Sequence, residues 1–162
     1  MSVRDATFAD LPRILAITNQ AITDTTALWT ITPATLETRG AWMSDRLAAG
    51  LPVLVAEADG EVVGFGSFGP FRPFDGYLHT VEHSLYVDPA WQGRGLGRAL
   101  LATLVARAEA MGRHAMVAGI EAGNTASIRL HERAGFVASG TLPQVGRKFE
   151  RWLDLTFMVR LL

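Results

Sequence analysis

The sequence contains no cysteine, and Lys148 is its only lysine. The absence of cysteine excludes disulfide bonds, thiolate metal sites and a cysteine nucleophile. Arginine therefore supplies all but one of the 15 basic residues, which balance 16 acidic residues to a net charge of −1. We interpret the arginine excess as a coding bias without functional weight. A chain so close to neutrality is not expected to have a nucleic-acid partner.

Long apolar runs are also missing from the chain. No run approaches the roughly 20 residues of a membrane-spanning helix, so no membrane partner is expected. Residues 1–5 include charged side chains and lack the apolar core of a signal peptide, which favours a cytoplasmic location. A length of 162 residues, 49% of them hydrophobic, predicts one globular domain over residues 1–162. The four histidines are scattered without ligand spacing, so no metal is expected.

Hydrophobic periodicity and turn residues predict an α/β fold. Asp59-Gly60 is a two-residue hairpin signal between two strands, and one strand-loop-helix-strand unit follows in the middle of the chain. Asp10 and Asn124 are candidate helix caps. The predicted strands are 2–7, 53–58, 61–68, 79–87, 115–121, 136–140 and 152–161, and the predicted helices are 11–22, 33–49, 96–111 and 125–134.

A glycine-rich loop, residues 92–98, joins a predicted strand ending at Val87 to the helix that begins at Leu96. The first turn of a helix carries unpaired N–H groups and partial positive charge, which together bind phosphate oxygens. The three glycines of the loop leave no side chain between its backbone and a bulky anion. The segment therefore predicts a pyrophosphate site. Arg94 and Arg98 either add charge to the phosphates or are solvated arginines at the start of a helix.

Two familiar phosphate loops fit this segment poorly. A P-loop needs a lysine followed by serine or threonine after the glycines, and neither is present. A dinucleotide fingerprint is half matched by Gly93 and Gly95, but position 98 is arginine. Glu121, at the end of the next strand, keeps the nicotinamide alternative open. Too little chain follows for a doubly wound domain.

A third interpretation matches more of the chain. The pattern Gln92-x-x-Gly95-x-Gly97 resembles the acetyl-CoA loop of the GNAT superfamily of N-acetyltransferases, and residues 124–136 resemble its N-x-x-S-x-x-L-Y-E-x-x-G-F segment. Residues 72–74, 80–87 and 148–154 resemble the phosphinothricin and methionine sulfoximine acetyltransferase branch. The resemblance implies a single-domain acyl-CoA N-acyltransferase fold, with a mixed, mostly antiparallel twisted sheet flanked by helices.

The resemblance also implies an activity. Acetyl-CoA would donate its acetyl group directly to the α-amino group of a small amino acid such as L-methionine sulfoximine, L-methionine sulfone or phosphinothricin. A homodimer is expected from the family. The cofactor contacts implied are Leu85, Tyr86, Val87, Gln92, Gly93, Arg94, Gly95, Leu96, Gly97, Arg98 and Asn124. The alternatives are another amine, such as a peptide N-terminus, and a non-catalytic acyl-CoA sensor.

Acetyl transfer to an amine needs a base, a polarised thioester carbonyl and a leaving thiolate. Glu82 is the candidate base, acting directly or through a water, because a half-buried carboxylate has a raised pKa. A surface glutamate on an edge strand is the alternative. His131 occupies the position where the superfamily usually has a tyrosine acid, so either His131 protonates the thiolate or the thiolate leaves unaided. With neither cysteine nor a Ser/His/Asp constellation, no acetyl-enzyme is expected.

Arg72 is the candidate for binding the substrate carboxylate, since its fork matches a carboxylate in bidentate fashion. Phe71 and Phe74 flank it and would form the walls of an apolar pocket. The resemblance adds Pro73, Phe74, Glu82, His83 and Ser84 as substrate contacts. His83 points to the strand face opposite Glu82, as a second acid–base group or as a packed histidine. Trp29 either covers the pocket or anchors its loop.

Overall fold

A computed structural model describes residues 1–162 as seven strands and four α-helices. The strands are β1 (Ser2–Asp5), β2 (Val53–Ala58), β3 (Glu61–Pro70), β4 (Thr80–Val87), β5 (Ala115–Glu121), β6 (Val137–Lys148) and β7 (Arg151–Leu161). The helices are α1 (Leu11–Asp24), α2 (Leu36–Ala48), α3 (Leu96–Ala110) and α4 (Thr125–Arg133). No helix is both long and apolar enough to cross a membrane.

The strands form one sheet in the order β1-β2-β3-β4-β5-β7-β6. Every neighbouring pair is antiparallel except β4 and β5, which α3 connects as a crossover. Helices α1 and α2 pack on one face through residues such as Ile14, Met43 and Phe65. Helices α3 and α4 belong to the larger apolar cluster on the other face. The predicted mixed, mostly antiparallel sheet flanked by helices is confirmed.

Pairing between β4 and β5 is short, covering only Thr80–Glu82 against Ala115–Val117. Beyond this point β4 continues to pair with β3, and β5 continues to pair with β7. The two strands therefore part and leave a gap. The Asp88 N–H donates to the Val63 carbonyl at 2.9 Å, on the β3 side. Because backbone groups alternate along a strand, the N–H groups of Leu85 and Val87 face the gap.

Two predicted boundaries were wrong. Strand β6 continues eight residues past the predicted end at position 140, because register shifts between Ala138 and Gly140 and between Leu142 and Gly146 carry the chain past strand-breaking residues. Helix α2 begins at Leu36, not near Pro33, because Thr35 caps it by accepting the Thr38 N–H at 3.1 Å.

Residues 25–32, between α1 and α2, are fastened to the β6–β7 hairpin. Lys148 is 4% exposed, and its ammonium donates to the carbonyl oxygens of Thr25 at 2.6 Å and Leu28 at 2.5 Å. The Trp29 ring packs against Gly146, where an added Cβ would lie 2.2 Å from the ring. Trp29 lines neither cavity described below, so its contacts favour the anchoring interpretation.

Gly146→Ala tests this fastening. The new methyl group overlaps a rigid indole ring, so we expect the free energy of unfolding to fall by about 1–3 kcal/mol. Urea denaturation measures it. Gly76→Ala is the matched control, because an added Cβ meets nothing within 4 Å there, and it should stay within about 0.5 kcal/mol of the wild type. Equal stability of the two variants would contradict the proposed packing role.

Candidate active site

The gap between β4 and β5 opens into a cavity of about 1130 Å³, here called the large cavity. It is bounded by the parted strands, the start of α3, one side of α4 and the end of α1. The sequence-predicted residues that line it are His83, Ser84, Leu85, Tyr86, Val87, Gln92, Gly93, Gly95, Leu96, Gly97, Arg98, Asn124 and His131. The structure thus brings two distant segments of the chain to one cavity.

The start of α3 has the geometry of an anion site. Gly95 caps the helix with φ at 84°, a left-handed conformation that favours glycine. The Ala99 N–H makes the first helical bond, to the Gly95 carbonyl at 3.0 Å, so the preceding turn has N–H groups without an intrahelical acceptor. Gly97 lies close to α4, where an added Cβ would make an ordinary van der Waals contact with the Leu130 side chain at 3.4 Å. These donors face the large cavity.

Two residues of the loop contact the protein itself. The Arg94 guanidinium lies over the Trp91 ring, 4.7 Å from its centroid, and does not line the large cavity. The Gln92 side-chain amide donates to the Val87 carbonyl at 3.1 Å. This bond occupies the acceptor at the end of β4 and ties the loop to the strand.

Helix α4 brings its cap residue and three other side chains to the large cavity. The sequence analysis did not single out those three side chains. The Asn124 Oδ1 accepts the Ser127 N–H at 3.1 Å, so Asn124 is a helix cap that also borders the large cavity. Arg129, Arg133 and Ser127 line the same cavity. Nothing in the sequence distinguishes those arginines from solvated helix residues, because only the packing of α4 beside α3 places them at the cavity.

His83 and His131 form a buried, stacked pair in the wall of the large cavity. Their ring centroids are 5.0 Å apart, and their Nε2 atoms are hydrogen-bonded at 3.0 Å. The Nδ1 atom of His131 lies 2.7 Å from the Ser127 carbonyl, which can only accept, so that nitrogen carries a proton. In the neutral pair, the His131 Nε2 then accepts from His83, and the buried His83 Nδ1 is left without a partner.

Both imidazoles favour the neutral form. Burial, with a smaller contribution from His131, lowers the pKa of His83 to about 3. Burial also lowers the pKa of His131, and the bond to the Ser127 carbonyl opposes this only in part. A neutral imidazole is a poor proton donor, and the His131 Nε2 already has a partner. The packed interpretation of His83 fits this arrangement.

The opposite face of β4 carries Glu82, Ser84 and Tyr86. A second cavity of about 400 Å³, the small pocket, lies on this side against α1 and α2. Its lining is Thr18, Ile22, Leu28, Thr30, Thr32, Pro33, Ala34, Thr38, Arg39, Trp42, Phe65, Ser84 and Tyr86. Ser84 and Tyr86 line both cavities, so the two meet across one short stretch of β4.

Glu82 opens to solvent beside the small pocket. Partial burial raises the pKa of the Glu82 carboxyl, and the charge of Arg72 lowers it in part. Arg72 is exposed and lies over the Phe71 ring at 5.0 Å. Phe74 is 68% exposed, and residues 72–74 line neither cavity. The structure brings Arg72 to Glu82, but the two phenylalanines do not enclose a pocket within one chain.

No three His, Asp or Glu side chains are grouped where they could hold a metal ion. The chemistry available is therefore that of a carboxylate, free backbone N–H groups and a helix N-terminus placed around one strand.

Comparison with known proteins extends these observations. The chain matches the acetyltransferase (GNAT) family model over residues 14–136. It is 58% identical to the L-methionine sulfoximine/L-methionine sulfone acetyltransferase of Pseudomonas aeruginosa, over 97% of this chain and 92% of that protein. It is 42% identical to the phosphinothricin N-acetyltransferase of Alcaligenes faecalis, over 93% of this chain and 77% of that protein.

Among solved structures, an acetyltransferase from Salmonella typhimurium with its cofactor acetyl-CoA has a TM-score of 0.96 at 51% identity, covering 99% of this chain and 92% of that one. The predicted resemblance to the superfamily and to its phosphinothricin and methionine sulfoximine branch is confirmed. The nicotinamide alternative is excluded by the same findings.

The lowered pKa of His83 predicts a dependence of stability on pH. Below about pH 6.5 the unfolded chain binds a proton that the folded protein excludes, so stability falls as the pH decreases from 6.5 toward 3. His83→Gln removes this loss. We therefore expect the slope of the free energy of unfolding against pH to decrease by up to about 1.4 kcal/mol per pH unit. Urea denaturation between pH 4 and 7 measures both proteins. Parallel slopes would contradict a neutral, buried His83.

Proposed function

We propose that this chain, which belongs to the GNAT acetyltransferase family, acetylates the α-amino group of a small amino acid with an oxygen-rich side chain. L-methionine sulfoximine, L-methionine sulfone and phosphinothricin are the candidate substrates. The enzyme is an N-acetyltransferase, and acetyl-CoA is its acetyl donor. A cytoplasmic location, predicted from the sequence, stays a prediction.

One observation carries this proposal: the large cavity, which includes the gap, and the small pocket beside α1 and α2 meet at β4 and share Ser84 and Tyr86. Acetyl-CoA would enter from the gap, and the amino acid from the side of α1 and α2. The two reactants would then meet at β4 without an intermediate carrier. This arrangement suits direct transfer, in which orientation within one complex replaces a covalent acetyl-enzyme.

The gap suits the extended arm of acetyl-CoA. The N–H groups of Leu85 and Val87 face it, and an extended chain can pair with such groups like an added strand. One of these N–H groups would donate to the thioester oxygen as negative charge develops there. At the end of the gap, the free N–H groups at the start of α3 would bind the pyrophosphate, with Arg98 beside them.

Glu82 would accept the proton that the amine loses as its nitrogen attacks the acetyl carbon. Its raised pKa brings the carboxylate closer to the working pH, which suits a base. The neutral His83–His131 pair favours departure of the thiolate without a proton from His131. An unperturbed thiol has a pKa near 8.5, so a thiolate is a tolerable leaving group.

A homodimer is the second part of this proposal. Strand β6 is an edge of the sheet, and its hairpin with β7 exposes several large apolar side chains. They include Leu142, Val145, Phe149 and Trp152. Exposed apolar residues on an edge hairpin are typical of an interface.

Sedimentation equilibrium tests the homodimer and should give twice the 17.5 kDa chain mass. Trp152→Glu should shift the protein toward monomer.

The substrate class is tested by measuring CoA release with a thiol reagent, to which a chain without cysteine adds no background. The panel contains L-methionine sulfone, L-methionine sulfoximine, phosphinothricin, common amino acids, an aminoglycoside and a peptide with a free N-terminus. Turnover of the oxidised amino acids above the rest supports the proposal. Preference for the peptide or the aminoglycoside would indicate a different substrate class. No CoA release with any amine would favour an acyl-CoA sensor.

Glu82→Gln tests the base. The amide cannot take the proton, so kcat should fall about 10²–10⁴-fold while acetyl-CoA affinity changes little. Calorimetric titration with acetyl-CoA provides the binding control. In the wild type, kcat/KM should fall with decreasing pH through the raised pKa of Glu82. A near-normal rate in the variant at neutral pH would remove Glu82 from the mechanism.

Arg72→Ala tests the predicted carboxylate contact. Losing a charged donor beside Glu82 should raise the amino-acid KM about tenfold or more and leave the acetyl-CoA KM unchanged. Steady-state kinetics with each substrate varied in turn separates the two. A variant in which both KM values rise equally would contradict a specific contact with the amino acid.

A further inference from the structure

The small pocket contains a guanidinium that no protein group satisfies. The side chain of Arg39, on α2, makes no ion pair and no hydrogen bond, and its Nε is buried without a partner. The Arg39 guanidinium lies over the Trp42 ring, and its carbon is 4.1 Å from the ring centroid. Burial lowers the pKa of Arg39, and repulsion from Arg46 adds to this while Tyr86 opposes it.

Arg39 is only partly buried, but its buried Nε leaves an N–H donor that neither water nor the protein reaches, and such a donor is costly unless a ligand accepts from it. No acidic residue lines the small pocket, so its wall provides no charged partner for the guanidinium. The pocket instead offers hydroxyl groups from Thr30, Thr32 and Ser84, and apolar rings from Trp42 and Phe65. A volume of about 400 Å³ is within the range of small-molecule sites.

We propose that the small pocket is the subsite for the side chain of the substrate, and that Arg39 selects for an oxygen-rich end on that side chain. This inference rests on the proposed function. The planar fork of Arg39 can donate to two oxygens on one sulfur or phosphorus atom, and the rings contact the methylene and methyl groups. The α-amino group is then left at the mouth of the pocket, where Glu82 and Ser84 lie on the same face of β4.

The same geometry explains rejection of an apolar analogue. A thioether or alkyl side chain of equal length fills the pocket but leaves the guanidinium without an acceptor. Binding such a side chain removes water from Arg39 and returns no hydrogen bond. Discrimination therefore comes from an unsatisfied protein donor and not from the size of the pocket.

Arg46 provides a matched control on the same helix. It is also partly buried, its pKa is also lowered by burial, and its side chain makes no ion pair or hydrogen bond. It lies over Gly69, where an added Cβ would overlap its guanidinium, and it lines neither cavity. Arg46→Met therefore removes a second partly buried arginine from α2 without changing the pocket wall, and the repulsion that Arg46 exerts on Arg39 is lost with it.

The experiment compares L-methionine sulfone with L-norleucine, an alkyl amino acid of similar length, in wild type, Arg39→Met, Arg39→Lys and Arg46→Met. In Arg39→Met, kcat/KM for the sulfone should fall about 10–100-fold, while that for norleucine changes less than about threefold. Arg39→Lys should recover part of the sulfone activity. Arg46→Met should resemble wild type with both substrates, and the acetyl-CoA KM should stay constant throughout.

Equal loss with both substrates in Arg39→Met, or no loss with the sulfone, would overturn the subsite. If the wild type acetylates neither substrate, the proposed function fails, and calorimetric titration with L-methionine sulfone decides the subsite separately. Binding that Arg39→Met abolishes and Arg46→Met retains would support the subsite even then. Binding that is absent, or unaffected by Arg39→Met, would overturn it.

Discussion

Pairing between β4 and β5 stops after Glu82 while each strand remains hydrogen-bonded to its outer neighbour, and most of the site depends on this parting. It leaves the N–H groups of Leu85 and Val87 without a strand partner and opens the large cavity beside them. It also sets the start of α3 at one end of the gap. A fully paired sheet would cover the same residues and leave no space for an extended ligand. Strand alternation, register and one interrupted ladder are sufficient to form the site.

Strand β4 also separates the acetyl-donor side of the site from the amino-acid side. Its odd-numbered residues face the gap or α3 and α4, and its even-numbered residues face α1 and α2. Glu82 lies on the amino-acid side, and the buried His83 lies on the other. This division explains why adjacent residues in one strand have different chemistry. It also explains why a base and an acyl donor can approach the same amine from opposite sides.

Three features show how the chain accommodates charge near the site: a buried lysine, a buried histidine pair and a partly buried arginine. Lys148 donates to two carbonyl oxygens and fastens residues 25–32 to the β6–β7 hairpin. His83 and His131 are neutral rings joined by one hydrogen bond, and the His83 Nδ1 has no partner. Arg39 has no protein partner. Arginine keeps its proton, whereas histidine readily becomes neutral when it is buried. The unsatisfied guanidinium of Arg39 is therefore the strongest of the three indications of a missing ligand.

The sequence by itself determined the features that depend on neighbours in the chain. The glycines before Leu96, the Asn124 cap and the opposite faces of Glu82 and His83 follow from spacing and local chemistry, and the family follows from the resemblance of several sequence segments. Contacts between distant residues decided the rest. The full length of β6 needed its irregular pairing with β7, and the histidine pair needed α4 packed against β4. The position of Arg39 required α2 to lie over the sheet, because nothing in residues 36–48 alone distinguishes a partly buried, unpaired arginine from a solvated one.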